Sequence, residues 1–124
     1  MELEDWLTDY GGELAEKRTQ GGQLSDNETL LYEFWLFDTH QRNGGVAGYF
    51  CNTARDSWAS LRSSAAGKVP AFSALCKQIE SVILGQADPY DAVTDSGIDF
   101  DGHYARIQEV TVKELRALLA DPHD

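Results

Sequence analysis

By residue type, His40, Cys51 and Asp38 are the side chains of this chain that could assemble a nucleophilic site. A catalytic cysteine needs a base within hydrogen-bond reach and a third group that orients the base. His40 also has a plainer reading, because it falls near the end of a helical stretch, where polar or cationic residues are common. Asp99-Phe-Asp101-Gly102 matches the middle of a calcium loop, yet that register puts Gly97 at the first ligand position and Gln108 at the twelfth. Both positions are acidic in a tight site, so an acidic turn is the better reading. Cys51 and Cys76 make no metal pattern and no C-x-x-C pair, and read as small buried hydrophobes. His103 and His123 make no zinc pattern and read as surface residues. No enzymatic activity, metal or cofactor is expected.

The carboxylates are the more telling set. The chain holds 21 acids against 10 bases, a net charge of −11, beyond the ~2–8 usual for a small domain. Residues 2–16 carry Glu2, Glu4, Asp5, Asp9, Glu13 and Glu16 with no Lys or Arg. Residues 86–105 carry Asp88, Asp91, Asp95, Asp99 and Asp101, again with no base. Bases gather instead around Arg42, Arg55, Arg62, Lys68 and Lys77. Helix first turns and tight turns account for some of these acids. They do not account for the missing bases. Such a charge repels nucleic acid and attracts basic partners, so direct nucleic-acid binding is not expected.

The elements that must position these groups are helices. Leu3, Trp6, Leu7 and Tyr10 have helical spacing, with Gly11-Gly12 expected to break the helix although Leu14 extends the stripe. Residues 18–24 read as a loop. Ser25-Asp-Asn-Glu28 is a capping box, opening a helix expected from Asp26 to Arg42. Leu30, Leu31, Phe34 and Phe37 form its main apolar face; Tyr32, Trp35 and Leu36 spread that character round, as in a central helix. Asn43-Gly44-Gly45 follows a helical period, so a hairpin is excluded, and Asn43 or Gly44 is expected to end the helix in the left-handed conformation. No strand precedes the glycines and no Lys-Ser/Thr follows, so a nucleotide loop has no support.

Val46–Asn52 is expected to be a short helix anchored by Tyr49 and Phe50, and Ser57–Ser63 another around Trp58 and Leu61. Pro70 opens a helix whose Phe72, Leu75, Cys76, Ile79, Val82 and Ile83 keep the i, i+3, i+4, i+7 rule, ended by Gly85. An acidic loop is expected over about 86–105. Thr111-Val-Lys-Glu114 reads as a second capping box, opening a last helix to about residue 120. The expectation is a mainly α, compact single-domain bundle spanning 1–124, with five to six helices and one acidic loop. No apolar run approaches the ~20 residues of a membrane span. The acidic start is unlike a signal peptide, so the chain reads as cytoplasmic.

The run LLYEFWLFDTHQRNGGVAGYFCN, Leu30–Asn52, resembles the signature of a bacterial family named for a DNA-mimic protein. The resemblance rests on Asn43, Gly44 and Gly45 ending a helix, followed by Tyr49, Phe50 and Asn52, with Val46 where the family usually has an aromatic. It covers about residues 25–85, and Asp101-Gly-His-Tyr104 is the counterpart of an Asp-x-x-Tyr-like stretch in the family's acidic segment. The resemblance implies a compact helical domain without enzymatic activity. It implies carboxylates standing in for DNA phosphates against the basic face of a transcriptional regulator or other DNA-binding protein. The candidate partner-binding residues are Asp88, Asp91, Asp95, Asp99 and Asp101, supported by Glu13 and Glu16. An immunity protein that neutralises a basic toxin, and an acidic helical domain whose charge serves solubility, are the alternatives.

Overall fold

In the computed structural model, which describes residues 3–53 and 55–120, six helices are present and no strand. They are α1 (Leu3–Thr19), α2 (Asp26–Asn52), α3 (Arg55–Ala65), α4 (Pro70–Ile83), α5 (Pro89–Asp95) and α6 (Phe100–Ala120). Glu2 and His123 lie outside the described residues, as do the side chains of Leu3, Glu4, Asn52 and Arg55. No helix among the described residues is long and apolar enough to cross a membrane.

The all-round apolar character of α2 has the expected consequence: α1, α3, α5 and α6 all pack on it. Leu30, Leu31, Phe34 and Phe37 are fully buried there. α4 closes the other side against α3, α5 and α6. Aromatic rings fill the centre. Phe37 meets Phe72 at 5.2 Å and Tyr104 at 5.1 Å between centroids in edge-to-face geometries that favour ring quadrupoles, and Tyr49 at 4.9 Å in a tilted one. α2 begins as its sequence dictates. The Glu28 amide donates to Ser25 Oγ at 3.1 Å, and the Ser25 amide donates to Glu28 Oε1 at 2.9 Å.

Four expectations about the helices change. Gly11-Gly12 does not break α1, which runs on to Thr19. Gly11 is buried where α1 crosses α2, and a Cβ there would collide with the Trp35 ring. The glycine serves a close approach rather than a stop. Second, neither Asn43 nor Gly44 takes the left-handed helical conformation; Gly45 instead has a positive φ of 73° with an extended ψ of −178°. The Asn43 amide turns back to the Thr39 carbonyl at 3.1 Å. Third, much of 86–105 is helical, holding α5 and the start of α6. Fourth, Thr111 is no cap: it is buried within α6 and its hydroxyl donates to the Ile107 carbonyl at 2.8 Å. The stripe of α6 runs through Phe100, Tyr104, Ile107, Thr111, Val112 and Leu115. Two of those are polar-tipped, which hides the period from an apolar count.

Candidate functional site

α5 is a short helix with Val93 buried, Pro89 and Ala92 half-buried, and Tyr90, Asp91, Thr94 and Asp95 exposed. Pro89 starts it at a position where the missing amide costs nothing. Asp88 precedes it as N-cap, its carboxylate accepting from the Asp91 amide at 3.3 Å. Ser96 then closes the helix, donating to the Val93 carbonyl at 2.8 Å and accepting from the Ile98 amide at 3.2 Å. Asp99 accepts from the Gly102 amide at 2.9 Å, which caps α6. Asp101 reaches much further: its Oδ1 accepts from the Val46 amide at 2.7 Å. That amide opens the second half of α2 immediately after the Gly44-Gly45 corner. A carboxylate at a helix start gains both the hydrogen bond and the dipole.

All five aspartates are exposed, and among the described residues none pairs with a base. The nearest bases in the chain are Lys77 and Arg106, so a stretch of 28 residues, 78–105, has none. The five do not share one role. Asp88, Asp99 and Asp101 each commit an oxygen to a backbone amide. Asp91 lies in the first turn of α5, where negative charge is favoured. Asp95 lies at its C-terminal end, where negative charge is disfavoured. Local structure therefore gives no account of Asp95.

Glu13 and Glu16 are exposed on α1, and Glu16 receives the Gln20 amide at 3.4 Å. α1 and α5 make no contact with each other. α1 packs along the first half of α2, with Gly11 on Trp35 and Arg18 3.9 Å from Glu33. α5 lies by the second half, where Val93 and Thr94 share a shallow cleft with Gly44 and Ala47. α1 does meet α6, so Glu13 and Glu16 stand on a different helix from the α5 carboxylates but on one that touches α6.

The Asn-Gly-Gly motif sits at the corner in α2. Gly45 faces Asp101, and a Cβ there would lie 2.7 Å from the carboxylate. Beyond the corner Tyr49 is buried against Phe37, and Phe50 packs at 5.0 Å on Trp58 of α3. The Tyr104 hydroxyl donates to Asp38 Oδ1 at 2.6 Å, and Arg42 Nε lies 2.9 Å from Asp38 Oδ2. Asp38 is thus buried with both oxygens engaged. Cys51, expected to be a buried hydrophobe like Cys76, is instead exposed near the end of α2. Burial pushes the Cys76 thiol up to about 12, the behaviour of a core cysteine. Among the described residues no three His, Cys, Asp or Glu side chains converge as a metal cluster.

One feature escaped the sequence reading. Beside Asp88, a groove of about 500 Å³ opens between α3 and the end of α4. Phe50, Trp58 and Ile83 form its apolar floor, and Asp56 and Asp88 stand at its rim. The Trp58 indole donates to Glu80 Oε2 at 2.6 Å, and Arg62 Nε lies 3.3 Å from the same oxygen. A spacing of four puts Trp58 and Arg62 on one face of α3, and that was the available signal. Their partner Glu80 is 22 residues further on, which no local pattern announces. No protein-family model matches this chain, and no curated protein or solved structure matches it either.

Proposed function

We propose that this chain is a non-enzymatic acidic binding protein that sets carboxylates against the basic face of a DNA-binding protein, as the DNA-mimic resemblance implies. The observation that carries the reading is the α5 patch: exposed carboxylates around a short helix, with no Lys or Arg in residues 78–105. Duplex DNA offers its readers about one charge per 1.7 Å of axis, read largely by Lys and Arg. Carboxylates held on helices compete for those same groups through charge-assisted hydrogen bonds.

Asp91 and Asp95 are the residues that test the reading most cleanly, because their oxygens cap nothing and replacing them leaves the helix caps and the fixed carboxylates of Asp88, Asp99 and Asp101 in place. The test is an affinity capture from native lysate with wild type and with Asp91→Asn/Asp95→Asn, over a salt series. A DNA-binding protein held by wild type, released by salt or added duplex DNA and lost with the variant is the expected result. A single toxin-like protein that duplex DNA does not displace would replace mimicry with immunity. Equal capture by both proteins would remove α5 from the binding surface.

A further inference from the structure

We infer that the groove between α3 and the end of α4 is a docking site for a cationic segment carrying one aromatic side chain, its Lys or Arg residues reaching the carboxylates at the rim. The inference deepens the binding-protein reading and rests on it. The floor is aromatic: Phe50 and Trp58 meet at 5.0 Å with planes 72° apart. Trp58 is 5% exposed and Phe50 half-buried, so the Phe50 ring is the aromatic surface a third ring would meet. At about 500 Å³ the groove is in the range of sites that hold a ligand-sized group.

Charge selects the occupant. Among the described residues, Asp56, Asp88 and Glu80 line the groove against one base, Arg62. Arg62 and the Trp58 indole both lie on Glu80 Oε2, so that carboxylate is already engaged and its guanidinium neighbour is compensated. The two rim aspartates carry the remaining negative charge. Asp88 also belongs to the α5 patch, so the groove and the patch form one continuous surface with a cation-seeking rim. Leu84 lines the same groove with 71% of its surface exposed, far more than a side chain closing a helix needs.

The Trp58 indole N–H and the amides of Ala59, Gly85 and Ala87 give site-specific resonances for the test. The probe is the pentapeptide amide Lys-Arg-Phe-Lys-Arg, titrated into the full chain and followed by heteronuclear NMR. Controls are Lys-Arg-Gly-Lys-Arg, of equal charge, and Ser-Gly-Phe-Gly-Ser, which keeps the ring without charge. The Phe peptide should shift the groove resonances saturably, and both controls should bind there at least about tenfold more weakly. Asp56→Asn/Asp88→Asn should weaken the Phe peptide by a similar factor, since asparagine keeps the α5 cap while removing charge. Leu84→Ser, at an exposed position, should weaken it without unfolding the chain. Equal binding of the two cationic peptides, with shifts over α5 and none at Trp58, would overturn the groove and leave the acidic-patch reading standing. Tight binding of the uncharged peptide would overturn the charge complementarity. No shift anywhere with any peptide would overturn both readings.

Discussion

On α1, the acids Asp9, Glu13 and Glu16 face solvent from a helix whose packing is carried by Leu7, Gly11 and Leu14. Along α5 and the start of α6, Asp88, Asp99 and Asp101 face solvent too, yet each holds a backbone amide with one oxygen. Both stretches look alike as runs of acid without base. The first is charge laid on the exposed face of a helix that packs through other residues. The second is charge built into the joints between helices, which fixes where its carboxylates stand. A surface meant to compete with a phosphate array needs fixed positions, because ordering loose side chains on binding costs affinity. The second segment therefore carries the proposed function and the first only supports it.

The largest expected effect lies at the corner that Asp101 closes. Gly45→Ala places a side chain at φ 73° and ψ −178°, a region nearly reserved for glycine, and pushes on the Asp101 carboxylate. A loss of about 3 kcal/mol in denaturant unfolding is expected. Gly44→Ala has open space around its Cβ and should cost far less. Equal losses at the two glycines would break the link between the corner and the acidic segment. Asp101→Ala comes next, at about 2 kcal/mol, because the Val46 amide loses a charged acceptor.

Smaller still, Asp88→Ala and Asp99→Ala should each cost about 1 kcal/mol as lost helix caps, whereas Asp88→Asn should be nearly neutral. Asp95→Asn should raise stability by about 0.3 kcal/mol, since it removes a negative charge from a helix C-terminus. Glu13→Gln and Glu16→Gln, on exposed positions of α1, should stay within about 0.5 kcal/mol of wild type in the same thermal and denaturant melts. Destabilisation there equal to that at Asp99 would erase the contrast between the segments.

A carboxylate below α1 adds a pH term. Glu33 is buried, its Oε2 has no hydrogen-bond partner, and Arg18 stands 3.9 Å away. Burial raises its pKa, and Arg18 opposes that only in part. A carboxyl with a raised folded pKa binds its proton more tightly folded than unfolded. Its favourable contribution is complete below the ordinary glutamate value of about 4.3 and is lost as pH rises through the folded value. Glu33→Gln should therefore gain stability over wild type at neutral pH, by less than about 1 kcal/mol, with the gain shrinking as pH falls through that window. A gain independent of pH would contradict this assignment.

The difference between what a sequence states locally and what folding adds runs through the same residues. Ser25 and Glu28 cap α2 as their spacing dictates, and Phe72, Leu75, Cys76, Ile79 and Ile83 of α4 are all buried. Those signals are complete within one turn or one helix face. The Val46–Asp101 bond spans 55 residues and the Tyr104–Asp38 bond 66, and neither has a local signature. Gly11 misled because two glycines read as a stop, while its need was contact with Trp35. Thr111 misled because Thr-x-x-Glu names a cap only at a helix start, and α6 had already started at Phe100. The acids themselves were legible in kind. That three of the five in the second segment are structural was not, since only the fold shows which amides they meet.

The most direct measurement is the affinity of the captured DNA-binding protein for two double variants, Asp91→Asn/Asp95→Asn and Glu13→Gln/Glu16→Gln, across salt, with and without competing duplex DNA. The account predicts a large loss of affinity and a shallower salt dependence for the α5 variant, a minor loss for the α1 variant, and displacement of wild type by DNA. Equal losses for the two variants, or binding that duplex DNA does not disturb, would contradict it.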